Sequence, residues 1–308
     1  MPRGIRGILL IGVLILLVVV IQPRLGAQTI PSPPPDTSPA NPADVMPPFA
    51  EHLERSFWLA DHLDLQAALI ENQVTVADWL QQINQSNIQF LCLGETHNES
   101  FRQFLAQTIF PQLDVNQLLL EADADQANEL LANASSGTNP IRLLGADIGL
   151  VIRAAKTRNP NVQIVGIDET DQQTAWRNQE QANSDRRRLS RDGFIAQNIQ
   201  EGWRSDQRHV ALYGANHCAA HDLGLGNARP FFRQVAGVVV PREQSKSVLV
   251  VSSAQSNPLT IAIQRATLNN QAFVIPNTQA IAPALYNYRW DLKSFFDNYD
   301  AIVYFPLP

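Results

Sequence analysis

The sequence is poor in cysteine, in basic residues and in long apolar runs, and each shortage excludes a class of protein. Its 308 residues include only two cysteines, which excludes a scaffold built from several disulfides and a zinc site that needs four thiolates. Because Arg3, Arg6 and Arg24 fall within the first 27 residues, the rest of the chain has 20 basic and 29 acidic residues, a net charge of −9. A surface of that sign repels phosphate backbones, so nucleic acid is not expected as a partner.

The longest apolar run covers residues 8–21 and is too short for a spanning helix, which needs about 20 residues. Arg3 and Arg6 precede the run, and small residues follow it up to Ala27, a pattern typical of an export signal. Leu25 occupies a position where a cleavable signal has a small residue. Residues 1–27 are therefore predicted to be an export signal, either cleaved or retained as an N-terminal anchor. The expected location is periplasmic, extracellular or membrane-anchored through this segment alone.

The rest of the chain divides by composition into a linker and one domain. Residues 28–50 are rich in Pro, Ser, Thr and Asn; this composition cannot bury a core and favours a disordered, solvated linker. Residues 51–308, 258 in number, suffice for a single α/β domain.

Within that domain, apolar runs alternate with segments of helical spacing. Strands are predicted at residues 88–93, 118–120, 162–167, 209–213, 247–251 and 301–305. Helices are predicted at residues 74–84, 99–113, 141–157, 170–204 and 228–235, with Pro111 expected to end or bend the second helix. Strands separated by helix-sized segments favour an α/β fold in which helices flank both faces of a mostly parallel sheet.

Ionisable side chains follow four of these strands at the point where each strand ends. They are Glu95 and His97, then Glu121, then Asp168 and Glu169, then His217. Ligands bind outside the carboxyl ends of parallel strands, so a site is predicted there. If the chain stays extended past Gly94, Glu95 and His97 project to the same face, where the carboxylate orients the imidazole and raises its basicity. With His217 and one further carboxylate, the same pair could instead bind a divalent metal.

The order of these motifs resembles the superfamily that joins the ChaN haem-binding proteins, the erythromycin esterases and the Tiki/TraB proteases. The motifs are G-E-x-H (94–97), LLLEAD (118–123), GIDE (166–169), R-D-x-x-x-A-x-N (191–198) and G-x-x-H (214–217). They keep the family order across residues 88–217, and DAIVYF at residues 300–305 resembles the family's closing strand.

This resemblance implies an α/β fold with a Glu/His site at the strand ends. In the esterase branch these residues activate water, in the Tiki branch they belong to a metal-dependent protease site, and the ChaN branch is associated with haem or iron uptake. The Glu-to-His spacing is closest to that of ChaN. Two features depart from ChaN: residues 101–103 read Phe-Arg-Gln where another His is usual, and no lipidation cysteine follows the N-terminal segment.

Two functions are expected from the residues and the resemblance together. The first is a hydrolase that activates water, with or without Mn²⁺, Co²⁺ or Zn²⁺, and acts on a small molecule or peptide. Its catalytic residues would be Glu95, His97, Glu121, His217 and Arg191, with Arg191 stabilising negative charge, and its metal ligands would be Glu95, His97, His217 and Asp168. The alternative is a non-catalytic haem- or iron-binding protein of the ChaN type, with His97, His217 or Tyr213 near the iron. A third possibility is a binding protein that has lost the chemistry.

The remaining candidates are weaker. His221 lies four residues after His217, the spacing of a metal pair on a helix. Asp192 is expected to pair with Arg191, while Asn198, the basic run 186–188, His52, His62 and His209 are expected to be structural or surface residues. Cys92 and Cys218 each adjoin one histidine motif. A disulfide and two free thiols both stay open, because a bridge requires Cα atoms about 4.4–6.8 Å apart.

Overall fold

The computed structural model describes residues 63–136, 140–182, 190–220, 230–255, 263, 271–281 and 298–307. The predictions for the export signal, the linker, His52, His62, residues 186–188 and His221 lie outside these residues. By internal contacts the chain divides into Met1–Met46 and Pro47–Pro308, and every described residue belongs to the second unit. None of the described helices combines the length and apolarity required to cross a bilayer.

The centre of the described domain is an eight-stranded sheet. The described strands are β1 (Val74–Thr75), β2 (Phe90–Glu95), β3 (Gln117–Leu120), β4 (Arg142–Leu143), β5 (Ala146–Asp147), β6 (Gln163–Gly166), β7 (His209–Gly214), β8 (Ser245–Ser252), β9 (Phe273–Ile275) and β10 (Ala301–Phe305). The order in the sheet is β1-β9-β10-β8-β2-β7-β3-β6, while β4 and β5 form a separate hairpin. Strands from β10 to β6 run parallel, and β9 is antiparallel to both β10 and β1. The predicted mostly parallel α/β fold is confirmed.

Helices cover both faces of this sheet, as parallel strands require. The described helices are α1 (Leu63–Asn72), α2 (Val76–Gln85), α3 (Glu99–Phe104), α4 (Ala124–Ser136), α5 (Ile148–Arg158), α6 (Asp171–Ala182), α7 (Arg191–Gly202) and α8 (Phe231–Val235). A π-helical turn, Leu105–Ile109, continues α3 and ends before Pro111, as predicted. A 3-10 turn, Ala215–Cys218, follows β7.

The sequence of strand β2 is a continuous apolar run because both of its faces are buried. Phe90 and Cys92 belong to the core cluster that includes residues of α7 and α8. Leu91 and Leu93 belong to the other cluster, with residues of α2, α3 and α5. Side chains alternate between the two faces of a strand, so both sets must be apolar when both faces are covered.

Two of the predicted helices are wrong in extent. The helix predicted at 141–157 begins only at Ile148, because Leu144 and Gly145 both have positive φ (52° and 88°), which forms a hairpin turn between β4 and β5. Asp147 then caps α5, its carboxylate accepting a hydrogen bond from Gly149 N at 2.9 Å. The region predicted as one helix at 170–204 contains two, α6 and α7, and Ser190 caps the second.

Candidate functional site

The site lies at the carboxyl edge of four adjacent strands. Strand β2 neighbours β7, β7 neighbours β3, and β3 neighbours β6, so the loops that follow them lie side by side. The parallel register places Glu95 opposite Gly214, and Leu120 opposite Leu212 and Gly166. The polar residues that follow these strands therefore gather at one edge, where the sequence pattern placed them.

His97 lies between two buried carboxylates. Its Nδ1 is 3.3 Å from Glu95 Oε1, and its Nε2 is 3.1 Å from Glu121 Oε2. Hydrogen bonds to Glu121 and then to Glu95 outweigh burial and raise the pKa of His97 to about 9. With both ring nitrogens donating, His97 is an imidazolium cation at neutral pH. Its expected role as a base is therefore less favoured than a role as a positive charge or proton donor.

Arg102 is the site residue that sequence reasoning missed. It is 1% exposed, and its Nη2 lies 2.6 Å from Glu95 Oε1, the same oxygen that His97 contacts. Among the described residues, Arg102 Nε and Nη1 and Glu95 Oε2 have no hydrogen-bond partner. In the sequence Arg102 appeared only as a departure from the ChaN pattern; the available signal was a charged residue between the apolar positions Phe101 and Leu105.

Arg191 joins two of the strand-end carboxylates. Its Nη2 lies 2.9 Å from Glu121 Oε1, and the guanidinium pairs with both oxygens of Asp168. The Asp168 carboxylate in particular raises the pKa of Arg191 further. Burial would raise the pKa of Glu121, but hydrogen bonds from His97, Gly214 N and Arg191 outweigh it and lower that pKa to about 2. Glu121 is therefore ionised and charge-paired on both oxygens.

His217 has a different partner, Asp192. Its Nδ1 lies 2.8 Å from Asp192 Oδ1, which also accepts a hydrogen bond from Phe231 N at 2.9 Å. The expected pairing of Asp192 with Arg191 is wrong, although the two residues are adjacent at the start of α7. Asp192 is buried and His217 is one-quarter exposed, and within the described chain Nε2 of His217 makes no hydrogen bond. Among the described residues, this is a carboxylate-oriented imidazole whose second nitrogen has no hydrogen-bond partner.

Glycines let these side chains approach one another. A Cβ on Gly214 would lie 3.3 Å from His97 Nε2, 3.5 Å from His217 Cδ2 and 3.6 Å from Glu121 Oε2. The three functional side chains therefore surround the backbone of Gly214. On β2, a Cβ on Gly94 would lie 2.9 Å from the backbone of Ala215, so glycine allows the turn that carries His217 to lie against the strand.

A disulfide holds this turn in place. Cys92 on β2 and Cys218 at the end of the 3-10 turn form a bridge with Cα atoms 5.5 Å apart. Both residues are buried. The choice left open by the sequence is thus decided in favour of the disulfide, which connects the strand of Glu95 to the turn of His217.

Glu169 and Asn198 lie outside the centre of the site, whereas Tyr213 borders it, its hydroxyl 3.3 Å from Arg191 Nη2. Glu169 pairs with Arg177 of α6 at 2.6 Å. Asn198 donates to the carbonyl oxygens of Ile167 and Asp168 and so supports the end of β6, in line with its expected local role. Tyr213 is fully buried against His217, and burial raises the pKa of its hydroxyl. A buried, protonated phenol does not suit the predicted role as an iron ligand.

The predicted metal ligands are mostly occupied by protein groups. Both nitrogens of His97 and both oxygens of Asp168 face charged partners. Only His217 Nε2 and Glu95 Oε2, among the atoms of the four predicted ligands Glu95, His97, Asp168 and His217, lack a protein partner in the described structure. No group of three or more His, Cys, Asp or Glu residues in the described ranges is arranged to hold a metal ion. As arranged in the described residues, these donor atoms form a charge-paired network.

A cleft of about 890 Å³ opens beside this network. Glu121 and Asp168 line one part of it, and α4 and the segment Pro140–Leu144 line the rest. A volume of this size is typical of small-molecule sites.

No family model, curated protein or solved structure matches this chain. Function is therefore inferred from the geometry of the site.

Proposed function

We propose that this protein is an exported hydrolase that uses His217 to activate water for attack on an ester or amide carbonyl. The observation that carries the proposal is the Asp192–His217 pair, with a hydrogen bond of 2.8 Å, beside the protonated His97. Asp192 accepts a hydrogen bond from the Nδ1–H of His217, which selects the tautomer with a lone pair on Nε2. That nitrogen can take a proton from water as the oxygen attacks a carbonyl carbon. When the tetrahedral intermediate collapses, the bond to the alcohol or amine breaks, and the leaving group takes that proton back from His217.

Positive charge at the same edge supports the second half of this chemistry. Attack on a carbonyl places negative charge on its oxygen, and fixed cations close to that oxygen stabilise the transition state. Among the described cations of this network, His97 and Arg191 are partly exposed, and each is held in place by Glu121, at 3.1 Å and 2.9 Å. Glu95 and Arg102 lie behind His97 and act as positioning residues.

The disulfide supports the exported location. Disulfides persist in oxidising compartments and are rare in reducing ones. Cys92 and Cys218 form such a bridge in the core of the domain. Together with the basic and apolar N-terminal residues, this favours export.

The experiment is a screen of the full chain on ester, lactone and peptide libraries, with EDTA or with added Mn²⁺, Co²⁺ or Zn²⁺. We expect activity in EDTA, and a loss of 100-fold or more in kcat/KM for His217→Ala and Asp192→Asn, the range of general base catalysis. Glu201→Gln serves as the matched control on α7, since Glu201 is exposed and accepts a hydrogen bond from Gln197 of the same helix. Activity in His217→Ala within a few-fold of the wild type would overturn the proposal.

The ChaN-type alternative rests on one observation, the partly exposed His217 side chain, whose Nε2 has no hydrogen-bond partner among the described residues and so suits an axial iron ligand. An optical titration with micromolar haem tests it. A Soret shift that disappears in His217→Ala would support haem binding, and no shift in the wild type would remove this alternative.

A further inference from the structure

We propose that the cleft beside the network binds the aliphatic acyl group of the substrate, and that Leu144 at the tip of the β4–β5 hairpin contacts that group. This rests on the proposed function, since it places the substrate carbonyl at the Glu121 end of the cleft. The cleft is continuous with the site, because Glu121 and Asp168 line both. A substrate held at the network therefore extends into it.

Leu144 is unusual for its position. Its φ is 52° and that of Gly145 is 88°, a pair of left-handed conformations in which Asn, Asp and Gly are favoured. Its side chain is 48% exposed, so burial in the core does not compensate for the strained backbone. Neither turn preference nor packing accounts for a leucine here. Contact with an apolar ligand does account for it.

The hairpin that presents Leu144 is held in place before any ligand binds. Arg142 Nη1 donates to Gly145 O at 2.7 Å, across the turn. Asp147 Oδ1 accepts from Ile141 N at 2.9 Å, and Glu99 Oε2 accepts from Asp147 N at 3.2 Å. Glu99 begins α3, two residues after His97. These bonds attach the hairpin to the loop that carries a central residue of the site.

The lining of the cleft indicates the class of group that it holds. Its apolar lining comes from Leu130 on α4 with Ile141, Leu143 and Leu144, and its polar lining from Gln126, Glu129, Asn133 and Arg142 together with Glu121 and Asp168. The carboxylates at its inner end, Glu121 and Asp168, are neutralised by His97 and Arg191, so they do not demand a cationic ligand. An uncharged chain gains from covering the apolar wall. The volume of about 890 Å³ exceeds the needs of an acetyl group and accommodates a chain of several carbons.

The test compares Leu144→Asn and Leu144→Gly with the wild type. Both replacements suit the positive φ, so we expect the Tm to stay the same or rise, while the apolar contact is lost. With 4-nitrophenyl esters, kcat/KM should fall about tenfold or more for the octanoate and change less than twofold for the acetate. Val238→Asn is the control, because Val238 is 76% exposed but lies outside the cleft.

A binding measurement separates this inference from the proposed hydrolase. The uncharged fluorophore N-phenyl-1-naphthylamine is titrated into the His217→Ala chain with and without Leu144→Asn. A probe affinity that falls about tenfold with Leu144→Asn supports the acyl cleft, even if no ester is cleaved and the proposed function fails. If the probe affinity and the ratio of kcat/KM for octanoate to kcat/KM for acetate were both unchanged, the proposed acyl cleft would be overturned. A Tm that falls by more than about 5 °C in both Leu144 variants would show a structural role instead and would also overturn it.

Discussion

Raising the pH through 9 should remove most of the stability that the protein gains from His97. The folded protein raises the pKa of His97 to about 9, chiefly through Glu121, whereas an unfolded chain has the ordinary value of about 6.5. A raised pKa stabilises the fold fully below about pH 6.5, and this contribution is lost as the pH rises through about 9. The difference corresponds to about 3 kcal/mol, or about 2 kcal/mol after allowance for screening of a side chain that is 26% exposed.

The assay is urea unfolding followed by tryptophan fluorescence, for the wild type and His97→Gln, in EDTA at several pH values from 6 to 10. The variant serves as the reference because other groups also titrate in this range. We expect the difference between the two free energies of unfolding to shrink by about 2 kcal/mol from pH 6 to pH 10.

NMR titration measures the same pKa directly. The His97 resonance should have a midpoint near 9, and Glu121→Gln should lower it, because the hydrogen bond that His97 donates to Glu121 is the largest cause of the raised pKa. His209 is an internal control with the opposite sign, since burial lowers its pKa below the ordinary value. A His97 midpoint below about 7.5, or a parallel loss of stability in wild type and variant, would refute the reasoning.

Three further predictions concern the parts of the fold that position the site. Replacing Cys92 and Cys218 with serine should lower the free energy of unfolding by about 4 kcal/mol, because the disulfide closes a loop over a separation of 126 residues. A change below about 1 kcal/mol in urea unfolding would contradict this prediction. Gly94→Ala should cost about 1–3 kcal/mol, since its Cβ would meet backbone at 2.9 Å, whereas Gly202→Ala, with nothing within 4 Å, should not destabilise. Arg208→Lys should lower the Tm by several degrees through lost hydrogen bonds to backbone carbonyls of residues 83–88, with kcat/KM unchanged.

Parts of the fold escaped prediction for identifiable reasons. Helix α4 has little apolar periodicity, since Ala127 and Leu130 are its buried hydrophobic residues among those described. The β4–β5 hairpin escaped because its turn has leucine where Asn or Gly is usual, so the segment is also compatible with helix. Strand β9 has only three residues, Phe273–Ile275, and is too short to show a pattern.

The sequence by itself determined the class of fold and the edge at which the site lies. Strands covered on both faces must be apolar throughout, so the polar residues that follow them stand out. Parallel strands bring those ends to one edge, and Glu95, Glu121, Asp168 and His217 therefore met there as expected.

Only the tertiary structure decided which of these residues contact one another and in what charge state. Asp192 was expected to pair with its chain neighbour Arg191, but it forms a hydrogen bond with His217. Arg102 extends from α3 and contacts Glu95. These pairings depend on how α3 and α7 pack against the sheet, and that packing comes from contacts between distant residues. The same packing surrounds His97 with two carboxylates and raises its pKa, which is why we propose His217 as the base. Local sequence patterns contain no information on such contacts, because hydrogen bonding and burial act between side chains that folding brings together.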